Sequence, residues 1–161
     1  MDWNILFSKQ QKLDQYIIDN HQLTNNDLFE EKILALLVEL GECANETRCF
    51  KFWSEKEASP KPVILEEYVD NIHFLLSLGL DKGFRFSNVE VLVTNKTVTE
   101  QFNIVFQHAL AFHTKRTEET YKKLFQAYLQ LGSLLGFTPE DIFKAYDEKN
   151  EVNYRRQDQG Y

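Results

Sequence analysis

Glycine and proline are scarce in this chain, at six and three of 161 residues, against a combined average near ~12%. So few turn formers exclude a many-stranded β fold and favour long helices. Only two cysteines occur, Cys43 and Cys49. Six apart in one helical pattern, they are separated by ~9 Å of rise, too far for a bridge within the helix. They read as reduced thiols of a cytosolic, cytoplasmic chain. No run of ~18 apolar residues exists, so no membrane span is expected. The opening MDWNILFSKQQ has an early acid and no long apolar core, unlike a signal peptide. Basic residues are outnumbered too: 18 Lys and Arg face 25 Asp and Glu, for a net charge of −7. That balance argues against general nucleic-acid coating and is compatible with a carboxylate-lined metal site.

What the chain does have is 43% hydrophobic and 27% charged residues, the mix of a globular domain. A domain of this size buries roughly 70% of its unfolded surface and needs no staples. Periodicity predicts a helix over 3–19, in which Leu6, Leu13 and Ile17 share a stripe with Gln10 in its middle. Asp27-Leu-Phe-Glu30 has the form of a capping box and opens a helix to about Arg48. Residues 54–62 read as a loop. A third helix follows from Val63 to Lys82, ended by Gly83. In 84–98 the alternation of Val89, Val91 and Val93 suits a short strand or an extended crossing. Thr97-x-x-Glu100 caps a helix to about His113. Thr117 starts another through Leu135, closed by Gly136. Thr138 and Pro139 begin a last helix to about Glu148. The fold expected is an all-α bundle of five or six helices. Residues 1–148 form its domain and 149–161 a polar tail without periodicity.

Two carboxylate pairs stand out. Glu39 and Glu42 are three apart in the second helix, so they share a face with Cβ atoms ~5–6 Å apart. Glu67 and Asp70 repeat that spacing in the third. Both helices are apolar around most of their circumference, as buried helices are. Buried, unpaired carboxylates are costly, and two facing pairs repel unless a cation lies between them. Four oxygen donors from two antiparallel helices suit Mg²⁺. A lone Glu-x-x-Glu is usually a solvated face; two pairs in the most apolar helices are harder to read that way.

His73 continues the face of Glu67 and Asp70. It fits a core histidine, half of a di-iron site of the Glu-x-x-His kind, or a hydrogen-bonding partner of a substrate. The tail carries Lys149, Asn150, Asn153, Arg156 and a Gly-Tyr end. These are phosphate-binding donor types, though a frayed terminus has the same composition. Their spacing reads as too irregular for one helical face, so the tail is expected to wrap over a ligand.

Together these segments resemble the dimeric dUTP diphosphatases of the all-α NTP pyrophosphatase superfamily, which includes MazG-type enzymes. The resemblance rests on Glu39-x-x-Glu42 followed by Lys51-Phe52-Trp53, on Glu67-x-x-Asp70-x-x-His73-Phe74, and on Lys149-Asn150-x-x-Asn153-x-x-Arg156-Gln157-x-x-Gly160-Tyr161. Gln10-x-x-x-Asp14 is a weaker fourth element. The carboxylate motifs point to the superfamily and the tail to the dUTP-specific branch. Residues 84–135 carry nothing that matches.

The resemblance implies a homodimer that hydrolyses dUTP, and dUDP, to dUMP, with diphosphate released from dUTP. Glu39, Glu42, Glu67 and Asp70 would hold two or more Mg²⁺, and Glu39 would also orient or deprotonate the attacking water. Gln10, Asp14, Trp53 and His73 would form the nucleoside pocket. Lys149, Asn150, Asn153 and Arg156 would close over the phosphates, with Lys51 assisting. The rival readings are a pyrophosphatase for dCTP or a damaged nucleotide, and a non-hydrolytic bundle, either a di-iron protein or an interaction module.

Overall fold

The computed structural model describes residues 2–24, 26–87 and 93–161. Among them are six helices and no strand. These are α1 (Trp3–His21), α2 (Phe29–Thr47), α3 (Lys61–Lys82), α4 (Val98–Lys115), α5 (Glu118–Leu134) and α6 (Pro139–Asp158). The alternation at Val89 and Val91 lies outside the described residues.

Local chemistry sets most of the boundaries. Thr97, Thr117 and Thr138 each cap a helix by accepting the backbone N–H three residues on. Gly83 and Gly136 take the left-handed conformation that ends α3 and follows α5, a region glycine enters without steric penalty. The start of α2 differs from the expected capping box. Leu28 is the N-cap and offers no side-chain acceptor. Asp27 instead accepts from the Phe29 N–H at 3.1 Å. Glu30 reaches across to His113 on α4, at 2.8 Å, and to Arg116 at the end of that helix. Its carboxylate tethers two helices rather than capping one.

α3 is the hub, in contact with α1, α2, α5 and α6. Tyr68 on α3 and Tyr128 on α5 stack at 4.5 Å, and each hydroxyl donates to the other's carbonyl, at 3.1 and 2.7 Å. Tyr121 donates to the Leu75 carbonyl at 2.9 Å. These buried hydroxyls fit only because glycines face them. A Cβ on Gly132 would collide with the Tyr68 hydroxyl, and one on Gly79 with that of Tyr121.

α6 corrects the sequence reading. It does not end near Glu148 but runs to Asp158, through most of the segment read as an aperiodic tail. Few apolar residues mark this stretch. It is held by side-chain pairs to α1: Tyr154 against Tyr16 at 5.1 Å, Tyr16 to Asp158, and His21 to Gln157 at 2.7 Å. α2 is also less enclosed than its composition implies, with Leu34 and Val38 63% and 50% exposed.

Candidate active site

The packing of α2 against α3 brings Glu39 opposite Glu67 and Asp70. Each offers one carboxylate oxygen, and those three oxygens lie within 4.8 Å of one another. Three acids this close and partly buried resist ionising together. Burial, then the charges of Asp70 and Glu42, pushes the Glu39 carboxyl up to about 7. Burial, followed by neighbouring acids, also raises Glu67. Burial raises Asp70 despite the opposing pull of Lys149. Only the Lys149 ammonium, paired with Asp70, offsets these charges, and the donors of the trio are hard oxygens alone. Such a set fits a hard divalent cation. Among the described residues His73 is not part of this trio; its Nδ1 is engaged by Gln10 instead.

Opposite the cluster lies α6. Because it is helical here, Lys149, Asn153 and Arg156 fall at i, i+4 and i+7, on one face. For these three the spacing expected to be too irregular for one face is regular after all; Asn150, one residue on from Lys149, is turned about 100° away. Lys149 is buried, and its ammonium donates to Asp70 at 2.8 Å and to Glu66 at 3.0 Å. Asn153 and Arg156 line a cleft of about 370 Å³ whose wall also includes Glu39 and Asp70.

Gln10, Asp14, His73 and Ser77 also line that cleft. Gln10 is the central residue. Its Oε1 accepts from Tyr146 Oη at 2.8 Å and from His73 Nδ1 at 2.8 Å. Its Nε2 donates to Asp14 Oδ1 at 2.8 Å, and Ser77 donates to Asp14 Oδ2 at 2.7 Å. This arrangement puts the His73 proton on Nδ1. Nε2 is left a buried acceptor without a hydrogen-bond partner. Burial, with the Lys149 charge nearby, holds His73 down at about 3, so the ring is neutral. Asp14 is raised by burial, against the opposing charge of Lys32.

A carboxylate cluster, a basic helix face and a polar pocket therefore share one cleft, at positions spread over nearly the whole chain. The family described as dUTPase matches residues 2–161. The chain belongs to the dUTPase family. It is a dUTP diphosphatase, a hydrolase whose substrate is dUTP. No curated protein sequence matches the chain. No helix among the described residues is long and apolar enough to cross a membrane.

The dUTPase cleft gathers Gln10, Asp14, Glu39, Asp70, His73, Asn153 and Arg156. Glu67 joins through the acid cluster. Glu42 is exposed and outside that trio, although its charge bears on Glu39. Lys51 and Trp53 do not line the cleft. They sit on the α2–α3 loop, where Trp53 is 65% exposed and packs edge-on against Phe52 at 5.0 Å. Asn150 does not line it either, and its Oδ1 is buried without a partner.

Three dUTPase residues escaped the sequence reading. Ser77 and Lys32 line the cleft, and Tyr146 orients Gln10. Ser77 lies seven residues after Asp70 and four after His73, on the same helix face. Lys32 precedes Glu39 by seven. Tyr146 precedes Lys149 by three. Helical spacing from the motif residues would have flagged all three.

Proposed function

We propose that dUTP hydrolysis in this cleft depends on Mg²⁺ held by Glu39, Glu67 and Asp70, with Glu42 contributing from the rim. The observation that carries this reading is one cleft bounded by the acid cluster, the Asn153–Arg156 face and the Gln10–Asp14–His73 network. When bound, Mg²⁺ supplies neutralisation and polarisation of the phosphates. The protein's own groups do the rest. Arg156 and Asn153 donate to phosphate oxygens, and Lys149 adds a charge-assisted donor.

Glu39 aligns the attacking water and takes its proton. The water oxygen bonds to phosphorus, the α–β anhydride bond breaks, and dUMP and diphosphate result. Phosphoanhydride hydrolysis demands alignment and charge neutralisation more than covalent catalysis, and this set of residues supplies both. dUDP offers the same anhydride and would yield dUMP and phosphate.

The nucleoside enters at Gln10, Asp14 and His73. Fixed polar groups reject the wrong base because they are then left unpaired. A neutral His73 and a Gln10 whose amide is locked in one orientation make such a set. This argues for uracil over the cytosine of dCTP. Trp53 lies outside the pocket of one chain, and its exposure is compatible with a role at an assembly contact.

Homodimerisation fits the same picture. Leu34 and Val38 on α2, with Leu110 on the neighbouring α4, are half-exposed or more, and the family resemblance points to a dimer. The free thiols of Cys43 and Cys49 accord with the cytoplasm.

The deciding experiment is product release from each dNTP and from dUDP, with MgCl₂ and with chelator. Diphosphate from dUTP only, and only with Mg²⁺, supports the reading. Equal rates on dCTP, or full activity in chelator, refute it. Sedimentation equilibrium should give about twice the 19.0 kDa chain mass; a fully active monomer refutes the dimer.

A further inference from the structure

Glu66 has no role in the scheme above, yet it holds one end of an unusual pairing. Lys149 is only 8% exposed and its ammonium is shared between two carboxylates, Asp70 at 2.8 Å and Glu66 at 3.0 Å. The two partners differ. The Asp70 side chain is 16% exposed and belongs to the acid trio, whereas that of Glu66 is 58% exposed and faces outward. We propose that Glu66 is a positioning residue that holds Lys149 when Asp70 turns to a divalent cation.

The argument follows from what each group tolerates. A cation at Asp70 competes with the Lys149 ammonium for the same carboxylate and repels it. A buried ammonium stripped of its only counterion is strongly destabilising. With Glu66 in place, Lys149 keeps one partner throughout, so Asp70 is released at little cost. Without Glu66, Lys149 depends on Asp70 alone and competes with the metal at full strength. Lys149 also sits on the α6 face that carries Asn153 and Arg156. Retaining it beside Glu66 keeps α6 docked on α3 at that point.

This inference rests on the proposed metal site, and a double-mutant cycle separates the two. Mg²⁺ affinity is measured calorimetrically with MgCl₂ and no nucleotide, at high salt so that long-range fields are screened. The proteins are wild type, Glu66→Gln, Lys149→Met and the double variant. Glu66→Gln should weaken Mg²⁺ binding by roughly three- to tenfold, toward the lower end of the coupling between contacting charges. Lys149→Met should strengthen it, because the competitor is gone. On the Lys149→Met background, Glu66→Gln should change nothing.

In lysine-labelled wild type the Lys149 side-chain NMR signal, assigned by its loss in Lys149→Met, should shift as MgCl₂ is added. Glu66→Asp should restore most of the lost affinity. An equal effect of Glu66→Gln with and without Lys149 overturns the proposal, as does a Lys149 signal that ignores Mg²⁺. If wild type binds no Mg²⁺ at all, the metal site itself is wrong. Thermal melts of each metal-free variant check folding, and an unfolded Lys149→Met is replaced in the cycle by Lys149→Gln.

Discussion

Tyr146 lies almost flat on His73, with ring centroids 4.1 Å apart and 19° between the planes. The Tyr146 hydroxyl donates to the same Gln10 oxygen that receives His73 Nδ1. Two donors from different helices thus converge on one acceptor. That convergence fixes which way the Gln10 amide points and which nitrogen of His73 is bare. The polarity of this part of the cleft, the proposed nucleoside pocket, is decided by this contact between α3 and α6.

Tyr146→Phe keeps the stack and removes the donor. A single hydrogen bond contributes about 1 kcal/mol, or about fivefold in affinity. KM for dUTP should rise by that factor with kcat less affected, and preference over dCTP should fall. Steady-state kinetics on both nucleotides are the check, and unchanged selectivity contradicts the assignment.

Glu39→Gln and Asp70→Asn should each lower dUTP turnover by at least ~10²-fold, as expected when a metal ligand or positioned base is lost. The Glu39→Gln protein should also melt at a higher temperature than wild type without metal at neutral pH, since the substitution relieves repulsion. Near-wild-type turnover in both variants is the result that contradicts the site.

The Glu39 carboxyl ionises near its ordinary value of 4.5 when unfolded and at about 7 when folded. Between those values the folded state binds more protons, so this group lowers stability as pH rises through the window. His73, held down at about 3 by burial, acts oppositely, destabilising the fold as pH falls below its unfolded value near 6.5. The Glu39 contribution is isolated by difference. The melting-temperature advantage of metal-free Glu39→Gln over wild type should grow from pH 4.5 to 7 and shrink when MgCl₂ is present. A difference independent of pH rejects the shift.

Deleting residues 149–161 takes away half of α6, the Lys149 ion pairs and the Tyr16–Tyr154 contact. It should therefore abolish dUTP hydrolysis and lower the melting temperature together. Deleting only 159–161, beyond the helix, should leave the helical circular-dichroism spectrum and melting point unchanged. Activity loss there would reflect Tyr161, which lines the cleft.

Gly132→Ala forces a methyl group into the Tyr68 hydroxyl. Overpacking of this kind costs typically 1–3 kcal/mol. Chemical denaturation should show that loss, while Mg²⁺ affinity per folded molecule stays unchanged. Full stability would mean the reciprocal tyrosine pair yields more easily than its two hydrogen bonds suggest.

Much of the architecture was legible in the sequence, because its signals are local. Scarce glycine and proline, threonine caps and the glycines at 83 and 136 act within a few residues, and they mark five of the six helices near their observed bounds. The i, i+3 spacing of Glu39 with Glu42 and of Glu67 with Asp70 put both pairs in view. Tertiary structure decided what local patterns cannot. The crossing of α2 over α3 selected Glu39, Glu67 and Asp70 as a trio and left Glu42 at the rim. The pairing of α6 with α1 kept residues 149–158 helical where apolar periodicity had faded. Gln10 meets His73 and Tyr146 across 63 and 136 positions of chain. No spacing rule reaches that far, because such contacts depend on how whole helices pack and on which rotamers survive burial.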